Sequence, residues 1–348
     1  MRKQCSRDVL PKSTTQRSFR SISPGQHAQF LQYAASLDLN NPHPTASSDP
    51  STNAQAEYDH FYVTALGLLN KFYPECTVNI TSRDPAYITP KIKAMLRHKN
   101  KLMRASRVEA ASALSERIGK EITWRCKKRL GKINGKTDAK DMWAAVRQLT
   151  GRQQEAAIVD GITAESLNDH YTAISTDHAY VSPRRKQLTT PMQSEHVSEW
   201  KIFKMLDNLR STATGLDGLP AWFLRLGAPV FSRQIAMLFN LSIASSTVPQ
   251  QWKQASIRPI PIVAAPKQHA DFRPISITPI LTRAMERTVV QSYLYPAFLS
   301  PPSSLSFSDQ FAFRPTGSPA AAIVYLLHTV TNMLLSNPYV IVICLDFS

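Results

Sequence analysis

Apolar positions are sparse and unpatterned over the first 55 residues. Ser, Thr, Gln, Asn and Pro dominate, and Asn40-Asn41-Pro42-His43-Pro44 and Ser47-Ser48-Asp49-Pro50 read as loop, so residues 1–55 are expected to be disordered or irregular. A helical period then sets in: Phe61, Ala65, Leu68, Leu69 and Phe72 share one side of a segment 58–72. Thr89-Pro90 is a helix start, a capping hydroxyl followed by proline at the first helical position. The helical region beyond it breaks near Ser106, and its second half carries Leu114, Ile118, Ile122 and Cys126 at four-residue steps, with Gly131 as its stop. Asp138 caps a further helix through Met142, Trp143, Val146 and Leu149, closed by Gly151. Residues 163–175 predict a short helix.

From about residue 196 the chain is more apolar. A helix over 197–209 runs into Thr214-Gly215-Leu216-Asp217-Gly218-Leu219-Pro220, a glycine-punctuated turn that opens a helix at Ala221. A helix near 230–245 ends at Pro249. Gln251-Trp252-Lys253 leads into Ala255-Ser256-Ile257-Arg258-Pro259-Ile260-Pro261, whose prolines suit only an edge strand. Asp271-Phe272-Arg273-Pro274-Ile275-Ser276-Ile277 leads into a helix through Met285, Val289 and Val290. Gln310-Phe311-Ala312-Phe313-Arg314 precedes a helix over 320–335. The apolar run Tyr339-Val340-Ile341-Val342-Ile343-Cys344-Leu345 predicts a strand buried on both faces, delivering Asp346 at its end. The pattern gives a mixed α/β (α+β) chain: an irregular 1–55, a helical connector over 56–180, a linker over 181–195 and a second unit over 196–348.

Charge changes this picture. The 348 residues carry a formal net charge of +16 and a pI near 9.8. Between Lys91 and Arg152 stand 18 Lys and Arg against five carboxylates, densest at Arg125, Lys127, Lys128, Arg129 and Lys132. Such a helix either lies along a phosphate backbone, releasing counterions, or is a solvated face. The longest apolar stretches, 320–327 and 339–345, are too short to span a bilayer, and no secretory core follows Met1-Arg2-Lys3. The expected polyanion is therefore nucleic acid, with no membrane. The four cysteines are far apart and form no C-x-x-C pair, which argues against a disulfide framework or zinc site. An intracellular location, nucleus or cytoplasm, is expected.

Five segments of the second unit, in this order, resemble the reverse transcriptase domain of non-long-terminal-repeat retrotransposons, particularly the jockey-like group. They are Gly215-Leu216-Asp217-Gly218-Leu219-Pro220, the stretch from Trp252 to Pro261, Phe272-Arg273-Pro274-Ile275-Ser276-Ile277, Gln310-Phe311-Ala312-Phe313-Arg314, and Leu345-Asp346-Phe347-Ser348. The match covers about residues 196–348, and the basic stretch resembles the segment that precedes the polymerase in such elements. The resemblance implies the fingers and first palm strand of a right-hand polymerase. It implies an RNA template, a DNA primer, dNTPs and Mg²⁺. Asp346 would be a catalytic metal ligand, or, on the residues alone, a strand-ending turn residue. Arg273 would grip triphosphate through its bidentate fork, or bond local carbonyls. Arg314 would hold template or brace its loop. The sequence departs from the family at Ile262, where a lysine is usual and Lys267 is the nearest replacement, at Ala312 for glycine, and at Ile277 for leucine. The family's second carboxylate pair is not present, so the chain is expected to be a fragment inactive by itself. The rival expectations are a non-enzymatic nucleic-acid-binding remnant of such an element and a remnant that does not fold stably.

Overall fold

The computed structural model describes residues 14–37, 50–82, 84–85, 87–130, 142–143, 161–177, 179–182, 184, 196–263, 265–301, 306–307, 309–314 and 317–345. These form a helix-rich α+β protein with two separate two-stranded antiparallel sheets. In chain order they are β1 (Thr14–Arg20), α1 (Pro24–Ser36), α2 (Pro50–Phe72), β2 (Glu75–Thr81), α3 (Pro90–Arg104), α4 (Val108–Leu130), α5 (Ala164–Ser175), α6 (Glu199–Asp207), α7 (Ala221–Leu226) and α8 (Ala228–Ser245). Then come β3 (Ser256–Pro261), β4 (Phe272–Ile277), α9 (Ile280–Val289), a π turn at Val290–Leu294, α10 (Tyr295–Leu299) and α11 (Pro319–Leu334).

The N-terminal segment differs from the irregular stretch expected of residues 1–55. β1 pairs with β2, with Thr14 opposite Thr81 and Arg20 opposite Glu75. α1 starts on a reciprocal capping box: the Gln26 amide donates to Ser23 Oγ, the Ser23 amide donates to Gln26 Oε1, and Pro24 supplies a helical φ. α1 then buries Phe30 completely against Phe223 (ring centroids 5.1 Å apart) and Tyr73 (6.0 Å). The segment is polar overall, yet two inward positions, Phe30 and Ala34, are enough to seat it.

The main core crosses the expected boundary at 181–195. Phe30, Tyr58, Phe61 and Leu69 of the first half share one cluster with Ile202, Leu206, Leu219, Phe223, Phe231, Phe239, Trp252 and Leu281 of the second. Buried Tyr58 donates to the Leu238 carbonyl at 3.0 Å. α1 and α2 are therefore part of the second unit's core. Burying their apolar side favours this packing by roughly 25 cal/mol per Å² of surface removed from water.

α3 and α4 form a helical hairpin with a small core of its own, Ile92, Leu114 and Ile118, onto which Met95, Leu96 and Ile122 pack. Thr89 caps α3 and Pro90 opens it, as the sequence predicts. The break falls at Ser106, in the left-handed region at φ 56°. The helix expected from Asp138 lies outside the described residues apart from Met142 and Trp143. α5 to α9 and the β3–β4 hairpin follow the predicted order. The apolar run 339–345 does not form the expected buried strand: it has no strand partner among the described residues, and all of it but Val340 is exposed, Tyr339 at 75%. A run of this composition becomes a strand only where a neighbouring ladder takes up its backbone groups.

Candidate nucleotide-facing and nucleic-acid surfaces

Three of the segments that carry the resemblance, at 215–220, 252–261 and 272–277, are joined in space, mainly by packing. Gly215 lies so close to the next segment that a Cβ would sit 2.6 Å from both Pro279 Cα and Pro279 N, so only glycine fits. Gly218 has φ +73°, which glycine adopts without strain. Between them Asp217 turns inward. Both its carboxylate oxygens are shielded from water, and neither has a partner in normal hydrogen-bond geometry. Desolvation pushes its pKa up to about 6, while the nearby Leu219 amide, Tyr62 hydroxyl and Arg283 charge pull weakly downward.

Tyr62, from α2, couples two of these segments. Its hydroxyl accepts a buried hydrogen bond from Trp252 Nε1 at 2.9 Å and lies beside Asp217, and burial raises its own pKa well above the phenol range. Trp252 packs edge-on against Tyr58 (5.0 Å) and Phe239 (5.8 Å). On the other side Arg283 of α9 donates to the Ala213 carbonyl at 2.9 Å. The turn at 213–219 thus touches the root after β4 through Pro279 and Arg283, and reaches the root before β3 through Tyr62, which binds Trp252.

β3 and β4 pair with Ile260 opposite Arg273, Arg258 opposite Ile275 and Pro259 opposite Pro274. Cross-strand partners share a face, so Arg258, Ile260, Arg273 and Ile275 lie on one side of the ribbon. Ile262 extends that face, its amide donating to the Asp271 carbonyl at 2.9 Å. Arg273 is exposed and forms no ion pair among the described residues. Lys267 stands on the connecting loop, its side chain exposed and its amide donating to Asp271 Oδ2 at 2.7 Å. That loop is held at its far end by α5. His269 Nε2 meets Ser166 Oγ at 3.0 Å, His170 and His269 stack 5.5 Å apart, and Tyr171 donates to the Phe272 carbonyl at 3.5 Å.

Arg314 turns to its own loop. Its guanidinium donates to the carbonyls of Phe307 and of Gln310, the latter at 3.3 Å, which is the bracing alternative. Phe313 beside it is at φ 60° and almost wholly exposed.

On the basic hairpin, Arg97, Lys101 and Arg104 recur at i, i+4 and i+7 along α3, all exposed, on the side away from Ile92, Met95 and Leu96. Of the cations singled out in the sequence, Arg125 is bound to Glu121 at 2.9 Å, and Glu121 also meets Lys91 at 3.5 Å. Lys127 is exposed and has no such partner among the described residues. Lys128 and Arg129 belong to α4, but their side chains, like Lys132 and Asp346 altogether, lie outside the described residues. The cation stripe on α3 was not singled out from sequence, although its four-residue spacing was legible there.

Among the described residues no group of three or more His, Cys, Asp or Glu is gathered to hold a metal ion, so the residues in view do not assemble an Mg²⁺ site. Among them, too, no helix is long and apolar enough to cross a membrane. No protein-family model matches the chain, and no curated protein is significantly similar to it.

Proposed function

We propose that this chain carries the nucleic-acid-binding and fingers-like part of an RNA-directed DNA polymerase of the retrotransposon type. One observation carries the reading. Three of the five segments that resemble the family meet at a single exposed ribbon, the β3–β4 hairpin, whose roots are tied to the glycine turn through Pro279, Arg283 and Tyr62 and whose outer face presents Arg258 and Arg273. A cationic ribbon fixed at its roots suits the recognition of triphosphate, because guanidinium forks match phosphate oxygens while the roots keep them in position. In this reading Arg273 grips the triphosphate with Lys267 as the second cation, and Asp346 serves as a metal ligand for Mg²⁺. RNA template, DNA primer and dNTPs are the partners.

A non-enzymatic nucleic-acid-binding role is the second reading, favoured by the α3–α4 hairpin with its outward stripe of Arg97, Lys101 and Arg104. Both readings require a salt-sensitive grip on polynucleotide. Binding of a labelled RNA template annealed to a DNA primer, followed by fluorescence anisotropy between 50 and 200 mM KCl, on the order of the range over which counterion release acts, tests it. The expected result is affinity falling steeply with salt. Absence of binding, or affinity indifferent to salt, contradicts both.

A further inference from the structure

We propose that two copies of this chain associate through residues 319–345. The apolar run Tyr339–Leu345 of one copy pairs antiparallel with the same run of the other, and the two α11 helices cover the ribbon so formed. The inference stands independently of the polymerase reading.

The run at 339–345 lies outside any ladder. No backbone hydrogen bond ties it to another segment among the described residues, so its amides and carbonyls are open to a strand. Its side chains are open too: Ile341 and Ile343 are each 77% exposed, and Leu345 is 78% exposed. α11 is as bare. It buries none of its residues, and Ile323, Val324 and Leu327 are each more than half exposed. Apolar surface gathered in one stretch of chain marks an interaction site.

Charge and register identify the partner. Residues 315–345 contain no Lys, Arg, Asp or Glu, in a chain of net charge +16. Two such chains repel one another over most of their surface, and this face is where the repulsion is least. The run also suits itself. Centred on Val342, antiparallel pairing sets Ile341 opposite Ile343, Val340 opposite Cys344 and Tyr339 opposite Leu345, with no like charges facing. The contact is isologous, so it closes at two copies. A two-stranded ribbon is marginal alone in water and needs a layer packed on it, which the two α11 helices provide. The stretch 319–345 has 27 residues, within the roughly 20–30 a side of a standard interface. A lipid surface fits less well. Among the described residues no helix is long and apolar enough to cross a membrane, and α11 carries no Lys or Arg to meet anionic headgroups.

The test uses the full chain. Sedimentation velocity over about 0.5–50 µM is expected to show a monomer passing to a dimer, since interfaces of standard size associate from the micromolar range downward. Apolar-dye fluorescence per chain should fall over the same range as the face is covered. Val342→Lys, at an exposed position, sets two ammonium groups against each other. It should weaken the dimer at least about tenfold, with an unchanged far-UV circular dichroism spectrum. Register is read by oxidation in a background with Cys5, Cys76, Cys126 and Cys344 all replaced by serine. There Val342→Cys joins two chains, whereas Tyr339→Cys, about 20 Å from its copy across the two-fold axis, does not. Val342→Lys needs no cysteine-free background, so the inference stays testable if that background misfolds. A monomer at every concentration, a dimer indifferent to Val342→Lys, or equal cross-linking at the two positions overturns it. So does a monomer that floats with phosphatidylcholine vesicles, which assigns the face to lipid.

Discussion

Gly215 is where one methyl group has the largest predictable effect. Its Cβ would meet backbone atoms of Pro279, which cannot swing aside as a side chain can. Gly215→Ala is therefore expected to destabilise the fold by about 1–3 kcal/mol, seen as a lower denaturation midpoint, because overpacking against backbone forces the two segments apart. At Gly227 a Cβ would meet the Phe231 ring, itself fully buried among Phe30, Phe61 and Phe223, so Gly227→Ala should also lower the midpoint. A midpoint unchanged in either variant would contradict the packing account. Asp217 makes a prediction in pH. Its pKa is raised from 3.8 to about 6 in the folded protein, so the folded state holds its proton where the unfolded chain has released it. The resulting stability is fully present below pH 3.8 and is lost as pH rises through about 6, an effect of up to about 3 kcal/mol before discounting for partial exposure. Asp217→Asn should flatten denaturation midpoints between those values. A wild-type profile that rises through this window, with no change in the variant, would count against it. The glycines and the aspartate stand out in the sequence as a turn. Their task does not, because it depends on Pro279 and Tyr62, distant in the chain and brought near only by packing.

Elements were legible where local chemistry decides them. Thr89-Pro90, the break at Ser106, and the proline-broken β3 and β4 are set by backbone rules that act within a few residues. α1 is hidden by the polar composition around it, which outweighs a capping signal only four residues long. The Ser23-Pro24-Gly25-Gln26 box was its signal, and Phe30 its anchor. Phe30→Ala is expected to cost about 3–5 kcal/mol, as for other fully buried aromatics, and a near-neutral result in chemical denaturation would detach α1 from the core. The reverse holds at 339–345, where an apolar run predicts a strand and no ladder among the described residues receives it. The same holds for α11: none of its residues is buried, and Ile323, Val324, Leu326 and Leu327 face solvent. Such a surface binds apolar dyes and promotes association. Removing residues 319–348 should abolish most dye binding and leave the midpoint of core unfolding unchanged. A large fall in that midpoint would mean that α11 belongs to the core after all.

At the scale of the whole molecule, two surfaces stand apart from one shared core. The α3–α4 hairpin concentrates the charge, and the β3–β4 ribbon presents Arg258 and Arg273 on one exposed face. The positive charge was fully legible in the sequence. That α1 and α2 join the later helices was not, since it turns on Phe30, Tyr58 and Phe61 meeting Phe223, Phe231 and Leu238 across more than a hundred residues of chain. If the ribbon grips triphosphate, Arg273 is its principal cation, and Ile262 on the same face occupies the place where a lysine would share the load. The direct measurement is photolabelling of the full chain with an azido-dATP in the presence of primed RNA, with the attachment sites mapped by mass spectrometry. The account predicts label within residues 256–277, displaced by unlabelled dNTP, lost in Arg273→Ala and strengthened several-fold in Ile262→Lys, since a charge-assisted phosphate contact contributes roughly 1.5–3 kcal/mol. Label scattered over the basic hairpin, unaffected by dNTP competition and by either substitution, would contradict it.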